Sequence, residues 1–278
     1  MISRMISSIG VLLLVAWAIA ELLPVIASLL SAFKSSNDIL LNPIGIPKRF
    51  VWANFAHAWS GPHFGMPLWR YAINSAIAVG VGVGVGMSVG TCAGYALVRS
   101  SRSVALLNRY FVVLLTAPGI VTWVPLFSLM SSFNLLSNRF GLGLVYAAFV
   151  TPLVTVLMRS YFAAFPLDLI EAAVIDGASE TRAFLRIVLP TSVGVMSVVA
   201  LIQAIWLWNE LALAVILMID PRSQTLPLGM LQLKGQFIDD YGYGAQYAAL
   251  LLAILPIIAM FAIVQRRITD GMRLGALR

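Results

Sequence analysis

Long apolar runs, parted by short polar ones, set the pattern of this chain. Six stretches are long and apolar enough to cross a bilayer as helices: approximately 9–33, 72–98, 105–131, 141–164, 187–218 and 245–265. A spanning helix needs about 20 mostly apolar residues. Each stretch must be helical, because hydrocarbon offers no partner for a free backbone N–H or C=O. The predicted class is an all-α polytopic membrane protein, one transmembrane domain over residues 1–278.

The second run contains AVGVGVGVGMSVG, whose period of two resembles a strand. A lone strand cannot span a bilayer, so a helix is expected here too. On a helix, Gly82, Gly86, Gly90 and Gly94 fall every fourth residue along one face. Such a small-xxx-small ridge admits close approach of another helix, from this chain or from a partner. Gly80 and Gly84 are expected to widen the groove. A flexible wall facing a solute is the rival reading.

Between the fourth and fifth runs lies EAAVIDGASETRAFLRIVLP, residues 171–190. It holds Glu171, Asp176, Glu180, Arg182 and Arg186, a dense polar interruption. Pro166 suits a helix start, where its missing N–H is not needed. Asp168 and Glu171 then sit near the positive end of the helix dipole. Leu167, Ile170 and Val174 recur at helical spacing and give one apolar face. Gly177 permits the backbone turn that ends a helix. Ser179 suits the N-cap of a second helix, with Glu180 in its first turn. Phe184, Ile187 and Val188 resume the apolar pattern, and Pro190 opens the fifth span. The unit is helix, glycine turn, helix over 166–186. A solvated loop needs no ordered apolar stripe; a stripe rimmed by charge more often marks a docking surface.

Composition agrees with the pattern. Hydrophobic residues make up 60% and charged residues 10% of the chain, with mean hydropathy +0.94. Soluble domains average about 25% charged residues. The net charge of +7 does not indicate nucleic acid, because no dense Lys/Arg run with interleaved aromatics is present. Basic residues instead set orientation. With the N-terminus in the cytoplasm, the inner segments hold eleven Lys and Arg and the outer segments seven. Arg99 and Arg102 close the second span, and Arg266 and Arg267 the sixth. Residues 166–186 and both termini are therefore expected on the cytoplasmic side. The run Ile9–Leu30 exceeds a signal h-region, so it is read as a retained span. The single Cys92 cannot form an internal disulfide, and His57 and His63 lack a metal-ligand pattern.

Several spaced motifs then carry a resemblance. Glu171-Ala172-Ala173, Asp176-Gly177-Ala178, Phe184, Ile187 and Leu189-Pro190 resemble the EAA loop of the inner-membrane permease subunits of ABC importers. Trp208-Asn209-Glu210 resembles the fifth-span WNE of the maltose-type sugar permeases. Thr225-Leu226-Pro227 with Gly229, the fourth-span end Leu153–Pro166, and the ending QRRITDGMRLGALR are similar to that family in the same order. The resemblance implies the type I ABC importer permease fold, with a coupling helix seated in a cleft of a separate ATPase. Glu171, Ala172, Ala173, Asp176, Gly177, Ala178, Arg182 and Phe184 would form that docking element, and the tail from Gly271 to Arg278 would touch the same subunit. It further implies a second homologous permease subunit, two ATPase subunits holding ATP and Mg, and an extracytoplasmic solute-binding protein. The expected location is the plasma (inner) membrane of a prokaryote, and the solute a sugar or related polar molecule.

No G-x-x-x-x-G-K-[ST] phosphate loop, metal cluster or nucleophile–base pair is present in the sequence, so the chain is expected to bind no cofactor and to be no enzyme itself. Polar groups within spans usually face a cavity or a partner helix. Asn74, Thr122, Thr151, Gln203, Trp206, Asn209 and Glu210 are the candidate pathway residues. Glu210 alternatively holds another helix or a loop, Trp206 alternatively packs against lipid, and Ser/Thr hydroxyls can bond their own helix. Pro118, Pro125 and Pro152 interrupt their helices, as breaks beside transport pathways do. Glu21 departs from the family, being deep in the first span, with Arg70 or protonation to neutralise it. By resemblance, Gly235, Asp239, Asp240 and Tyr241 would meet the solute-binding protein. The alternatives are a secondary transporter or channel without an ATPase, and a membrane enzyme.

Overall fold

The structure is a computed structural model. It describes residues 2–60, 66–98, 102–116, 118–236 and 242–275. The described residues form helices and turns, with no strand among them. In chain order the helices are α1 (Ile2–Ser31), α2 (Ser36–Leu41), α3 (Ala53–Ser60), α4 (Leu68–Val98), α5 (Arg102–Thr116), α6 (Trp123–Ser132), α7 (Arg139–Ala163), α8 (Leu167–Ile175), α9 (Glu180–Ala183), α10 (Leu189–Thr191), α11 (Val193–Trp208), α12 (Ala212–Leu217), α13 (Leu226–Gln236) and α14 (Tyr243–Gly275).

Four of these are long and apolar enough to cross a membrane outright: Gly10–Ser31, Leu68–Val98, Arg139–Ala163 and Tyr243–Gln265. Two more crossings arise when bent pairs count as one span each. The third apolar run is broken between Thr116 and Gly119. The fifth bends by 69° between Glu180–Thr191 and Val193–Trp208. The run 187–218 is therefore not one rod. The hydroxyl of Ser192 donates to Val188 O (2.6 Å) and that of Thr191 to Ile187 O (2.7 Å), so the chain closes its own hydrogen bonds around the bend. A second break separates α11 from α12.

The chain divides into two compact units. The first comprises Met1–Arg70 with Gly229–Leu255. It contains a ring cluster in which Phe33 meets Trp52, Phe55 and Phe50 at centroid distances of 5.0, 4.9 and 5.7 Å. Lys34 is fully buried, and its ammonium donates to Asn42 O at 2.6 Å. Asn54 Nδ2 donates to Ala32 O and Lys34 O, both at 2.9 Å. The start of α14 is tied in by Tyr243 N–H to Ser36 Oγ (3.2 Å).

The second unit comprises Tyr71–Leu228 with Pro256–Arg278. The glycine ridge of α4 packs here, against α7. A Cβ on Gly82 would stand 2.7 Å from Tyr146 Cβ, on Gly86 2.6 Å from Val150 Cγ1, on Gly90 2.7 Å from Val154 Cβ, and on Gly94 2.9 Å from Arg159 N. Distances that short are forbidden to real side chains, so four glycines in register let two backbones touch. Gly80 and Gly84 do not widen this groove. Nothing lies within 4 Å of where their Cβ atoms would be, and they lie on a different, exposed side of α4. The spacing of two from the ridge rotates them by about 200°, which places them away from α7.

Candidate functional site

Two places in the second unit bring the predicted polar residues to the surface. The first is the elbow made by α8 and α9. Helix α8 follows Pro166, with Asp168 in its first turn. It ends in a Schellman motif: Gly177 N–H donates to Val174 O (3.0 Å) and Ala178 N–H to Ala173 O (2.9 Å). Gly177 carries φ +82°, the left-handed conformation that this closure requires. Ser179 then caps α9, its Oγ accepting from Arg182 N–H at 3.3 Å. These hydrogen bonds and the Gly177 backbone fix the corner between Pro166 and Arg182.

The apolar stripe expected from Leu167, Ile170 and Val174 divides. Ile170 is buried, whereas Val174 is half exposed. Leu169 and Ile175 are exposed as well, the latter by 84%. Glu171, Ala172, Asp176, Gly177 and Arg182 are exposed, and Ala173 and Ala178 are half-buried. Phe184 differs from the expectation that it belongs to the outer surface. It is buried, its ring stacked on Tyr95 at 4.4 Å and set edge-on to Phe162 at 6.3 Å. Tyr95 also meets Phe162 edge-on at 5.6 Å, which closes a three-ring clamp. The physical reason is packing: the Phe184 ring leaves water to fill the space between Tyr95 at the end of α4 and Phe162 at the end of α7. A single π turn starts at Phe184 and runs to Val188, where Leu189 N–H reaches Phe184 O. Such bulges often sit where a helix must be re-aimed. Sequence reasoning missed Tyr95 and Phe162, although two aromatics near the ends of spans were visible.

The second place is the break after Trp208. Asn209 ends α11, and its Nδ2 folds back on Ile205 O at 2.8 Å. The Glu210 carboxylate caps α12: Leu213 N–H donates to Oε1 at 2.7 Å and Ala214 N–H to Oε2 at 3.3 Å. Tyr146 Oη donates to the same Oε2 at 2.8 Å, so α7 is joined to the break. Tyr146 is a further residue that sequence reasoning missed; a phenol deep in a span was its only signal. An open cavity of about 620 Å³ adjoins the break, lined by Ile202, Trp206, Asn209, Glu210 and neighbours. Trp206 is half exposed and Asn209 exposed.

The remaining candidates for the pathway do not gather at this cavity. Asn74 is buried and engaged on all sides: it donates to Arg222 O (3.1 Å) and Gln224 O (2.9 Å) and accepts from Arg139 Nη1 (2.9 Å). Thr122 and Thr151 bond their own helices, to Gly119 O and Ala147 O. Gln203 is buried. Gly235 lies in α13, while Asp239, Asp240 and Tyr241 fall outside the described residues, as do 276–278 of the tail. Among the described residues, no group of three His, Cys, Asp or Glu could hold a metal ion.

An exposed, rigidly capped elbow on an all-helical apolar bundle is what the sequence motifs imply, and comparison with known proteins decides the family. Residues 82–274 match the binding-protein-dependent transport system inner membrane component family. The chain belongs to that family. The diacetylchitobiose uptake system permease protein NgcG of Streptomyces coelicolor is 34% identical over 99% of this chain and 90% of its own length. The sulfoquinovosyl glycerol transport system permease protein SmoH of Agrobacterium fabrum is 28% identical over 92% of this chain and 89% of its own. A chain of a bacterial ABC transporter involved in importing the acidic polysaccharide alginate superposes with TM-score 0.79 at 21% identity, covering 95% of this chain and 96% of that one. That likeness carries the type I permease fold. The chain is thus the membrane component of an ABC importer and not an enzyme, hydrolysis in this family residing in a separate subunit. This sets aside the gradient-driven transporter and the membrane enzyme.

Proposed function

We propose that this permease carries a sugar or sugar-like polar solute into the cytoplasm of a prokaryote across the inner membrane, and that the α8–α9 elbow is the handle gripped by its ATPase. The observation that carries the reading is the two-sided construction of the elbow. Leu169, Val174, Ile175, Glu171, Asp176 and Arg182 are exposed on it, while its other side is fixed through Phe184 to Tyr95 and Phe162. A rigid exposed corner, clamped to two long helices, transmits a push without being absorbed locally. Nucleotide can bias the bundle only if its two states differ in such contacts.

The complete transporter would add a second homologous permease subunit, two ATPase subunits that hold ATP and Mg, and an extracytoplasmic binding protein. The termini and elbow would face the cytoplasm, as the basic residues argue. Gly235, Asp239, Asp240 and Tyr241 would lie on the opposite side, toward the binding protein. Trp206 and Asn209, at the mouth of the 620 Å³ cavity, are the groups best exposed to meet a passing solute: an aromatic face for a sugar ring and an amide for its hydroxyls. The sugar class is supported by the solutes named for NgcG and SmoH.

The deciding experiment is uptake by the reconstituted complex, with its cognate binding protein and ATPase, of labelled diacetylchitobiose, maltose, a sulfoquinovose glycoside and glycerol phosphate. We expect ATP-dependent uptake of at least one saccharide. Uptake of none, or uptake undiminished without the ATPase, would overturn the reading.

A further inference from the structure

The crossing Gly10–Ser31 ends in a corner held by hydrogen bonds. Phe33 N–H donates to Leu30 O and Lys34 N–H to Ser31 O, both at 3.1 Å, so the chain still turns as it leaves the span. Val51 N–H then returns to Phe33 O at 2.8 Å, and Asn54 Nδ2 donates to Ala32 O and Lys34 O. Val51 and Asn54 are thereby tied to the last residues of α1. With α1 crossing the bilayer, this corner stands at the membrane surface. The polar layer there is roughly 5–8 Å deep on each side of the hydrocarbon.

A cavity of about 710 Å³ lies in the corner, with Asp38, Leu41, Lys48, Arg49, Phe50 and Trp52 in its lining. Sites for small molecules run roughly 300–1,000 Å³. The lining combines three kinds of group. Leu41, Phe50 and Trp52 are apolar and yet 80%, 53% and 68% exposed. Lys48 and Arg49 are exposed cations adjacent in sequence. Asp38 is buried: its Oδ2 accepts from Lys48 N–H at 3.1 Å, and its Oδ1 has no partner. Lys34, one turn earlier, spends its ammonium on Asn42 O and Pro43 O instead. A buried carboxyl oxygen without a partner is costly and calls for a donor or a cation. Exposed rings beside basic side chains suit the membrane interface, where the rings sit at headgroup level and the cations meet phosphate. A free sugar would use the rings and the carboxyl but leave two cations without an anion.

We propose that this cavity is a phospholipid site that takes an amine-bearing headgroup, that of phosphatidylethanolamine. The phosphate meets Lys48 and Arg49, the ammonium meets Asp38, and the first carbons of the chains lie on Leu41, Phe50 and Trp52. A lipid held there fixes the depth at which α1 leaves the bilayer. The inference rests on α1 crossing the membrane, and neither on the proposed solute nor on the ATPase.

The test uses the whole transporter complex, purified in detergent and freed of lipid. Phosphatidylethanolamine and phosphatidylglycerol, each with a photoactivatable acyl chain, are titrated in separately. Adducts are mapped by mass spectrometry, and half-occupancy is read from intact-complex spectra. We expect adducts of phosphatidylethanolamine on residues 35–53, at lower lipid concentration than with phosphatidylglycerol. Lys48→Gln with Arg49→Gln changes only exposed side chains and should weaken both lipids about tenfold to thirtyfold. Asp38→Asn keeps an oxygen for Lys48 N–H, so the corner should still form, and melting checks that it does. It should weaken phosphatidylethanolamine about threefold to fivefold and leave phosphatidylglycerol unweakened. Absence of adducts on 35–53, equal binding of the two lipids by the parent, or no loss in the double variant would overturn the inference. Each of these results leaves the importer reading intact.

Discussion

At the elbow, Glu171, Asp176 and Arg182 project from the surface, and their side chains make no hydrogen bond or ion pair among the described residues. At the break after Trp208, Glu210 spends both carboxylate oxygens on Leu213, Ala214 and Tyr146. Both sites interrupt apolar helix with acids, and from composition they look alike. What separates them is where the satisfied hydrogen bonds run. The elbow closes its backbone with backbone and a serine hydroxyl, so Glu171, Asp176 and Arg182 are not needed to close it. The break closes its backbone with its charge, leaving Trp206 and Asn209 among the residues that face outward. A free charge on a locked backbone suits recognition; a bound charge at a helix end suits architecture.

The comparison breaks most easily at Phe184, the one elbow residue that belongs to the interior. Phe184→Ala removes a buried ring from between Tyr95 and Phe162, at a cost of about 3–5 kcal/mol. We expect a clear fall in the melting temperature of the purified complex. Phe184→Leu should recover most of the stability, while a gap in the clamp leaves uptake low and basal ATPase present. Equal loss of both activities in the leucine variant would show that the clamp does not transmit motion.

Second in size is Glu210→Leu, which leaves Tyr146 Oη and the Leu213 N–H without partners. Each stranded buried group costs about 1–3 kcal/mol. Glu210→Gln can accept from only one of its two former oxygens and should fall between. Melting measured beside uptake distinguishes the readings: an architectural residue lowers both together, and a solute ligand would change the solute KM with the melting point intact.

The elbow was legible in the sequence because every feature that builds it is local. Gly177, Ser179 and Pro166 act over five residues or fewer, and the ridge Gly82-Gly86-Gly90-Gly94 repeats on a single helix. The break was not legible in the same way. Tyr146 lies 64 residues from Glu210, and no spacing rule joins them. The inward position of Phe184 depends on Tyr95 and Phe162, rings on two other helices that no local spacing joins to it. Asn74 was read as a pathway group because it is polar within a span, yet its amide is consumed by Arg222, Gln224 and Arg139. Polarity within a membrane helix told where a partner is needed, not which partner it is.

Third is Gly177→Val. At φ +82° a β-branched residue is strained by about 1–2 kcal/mol, and nothing else lies within 4 Å of the position to collide with it. The strain is confined to the corner, so the bundle should melt within a few degrees of the parent. Uptake should fall steeply, since α8 and α9 no longer meet at the same angle. Gly177→Asn, the residue type that best tolerates this conformation, should restore part of it. If valine leaves uptake unchanged, the fixed angle of the elbow has no part in coupling.

The smallest effects on stability should come from the exposed members of the two sites, Glu171 and Asn209, and they sharpen the comparison most. Each substitution, Glu171→Gln and Asn209→Leu, should move stability by less than about 0.5 kcal/mol, because neither side chain is buried. Their transport defects should differ in kind. A docking acid that loses its charge weakens the grip of the ATPase, so Glu171→Gln should lower the maximal uptake rate per ATP hydrolysed and leave the solute concentration dependence alone. An amide at the cavity mouth that becomes aliphatic loses a contact with sugar hydroxyls, so Asn209→Leu should raise the solute KM and leave uptake per ATP near the parent value at saturation. The two variants assayed together form a crossed test. If both shift the same parameter, the division between a recognition surface at the elbow and a solute-facing rim at the break does not hold.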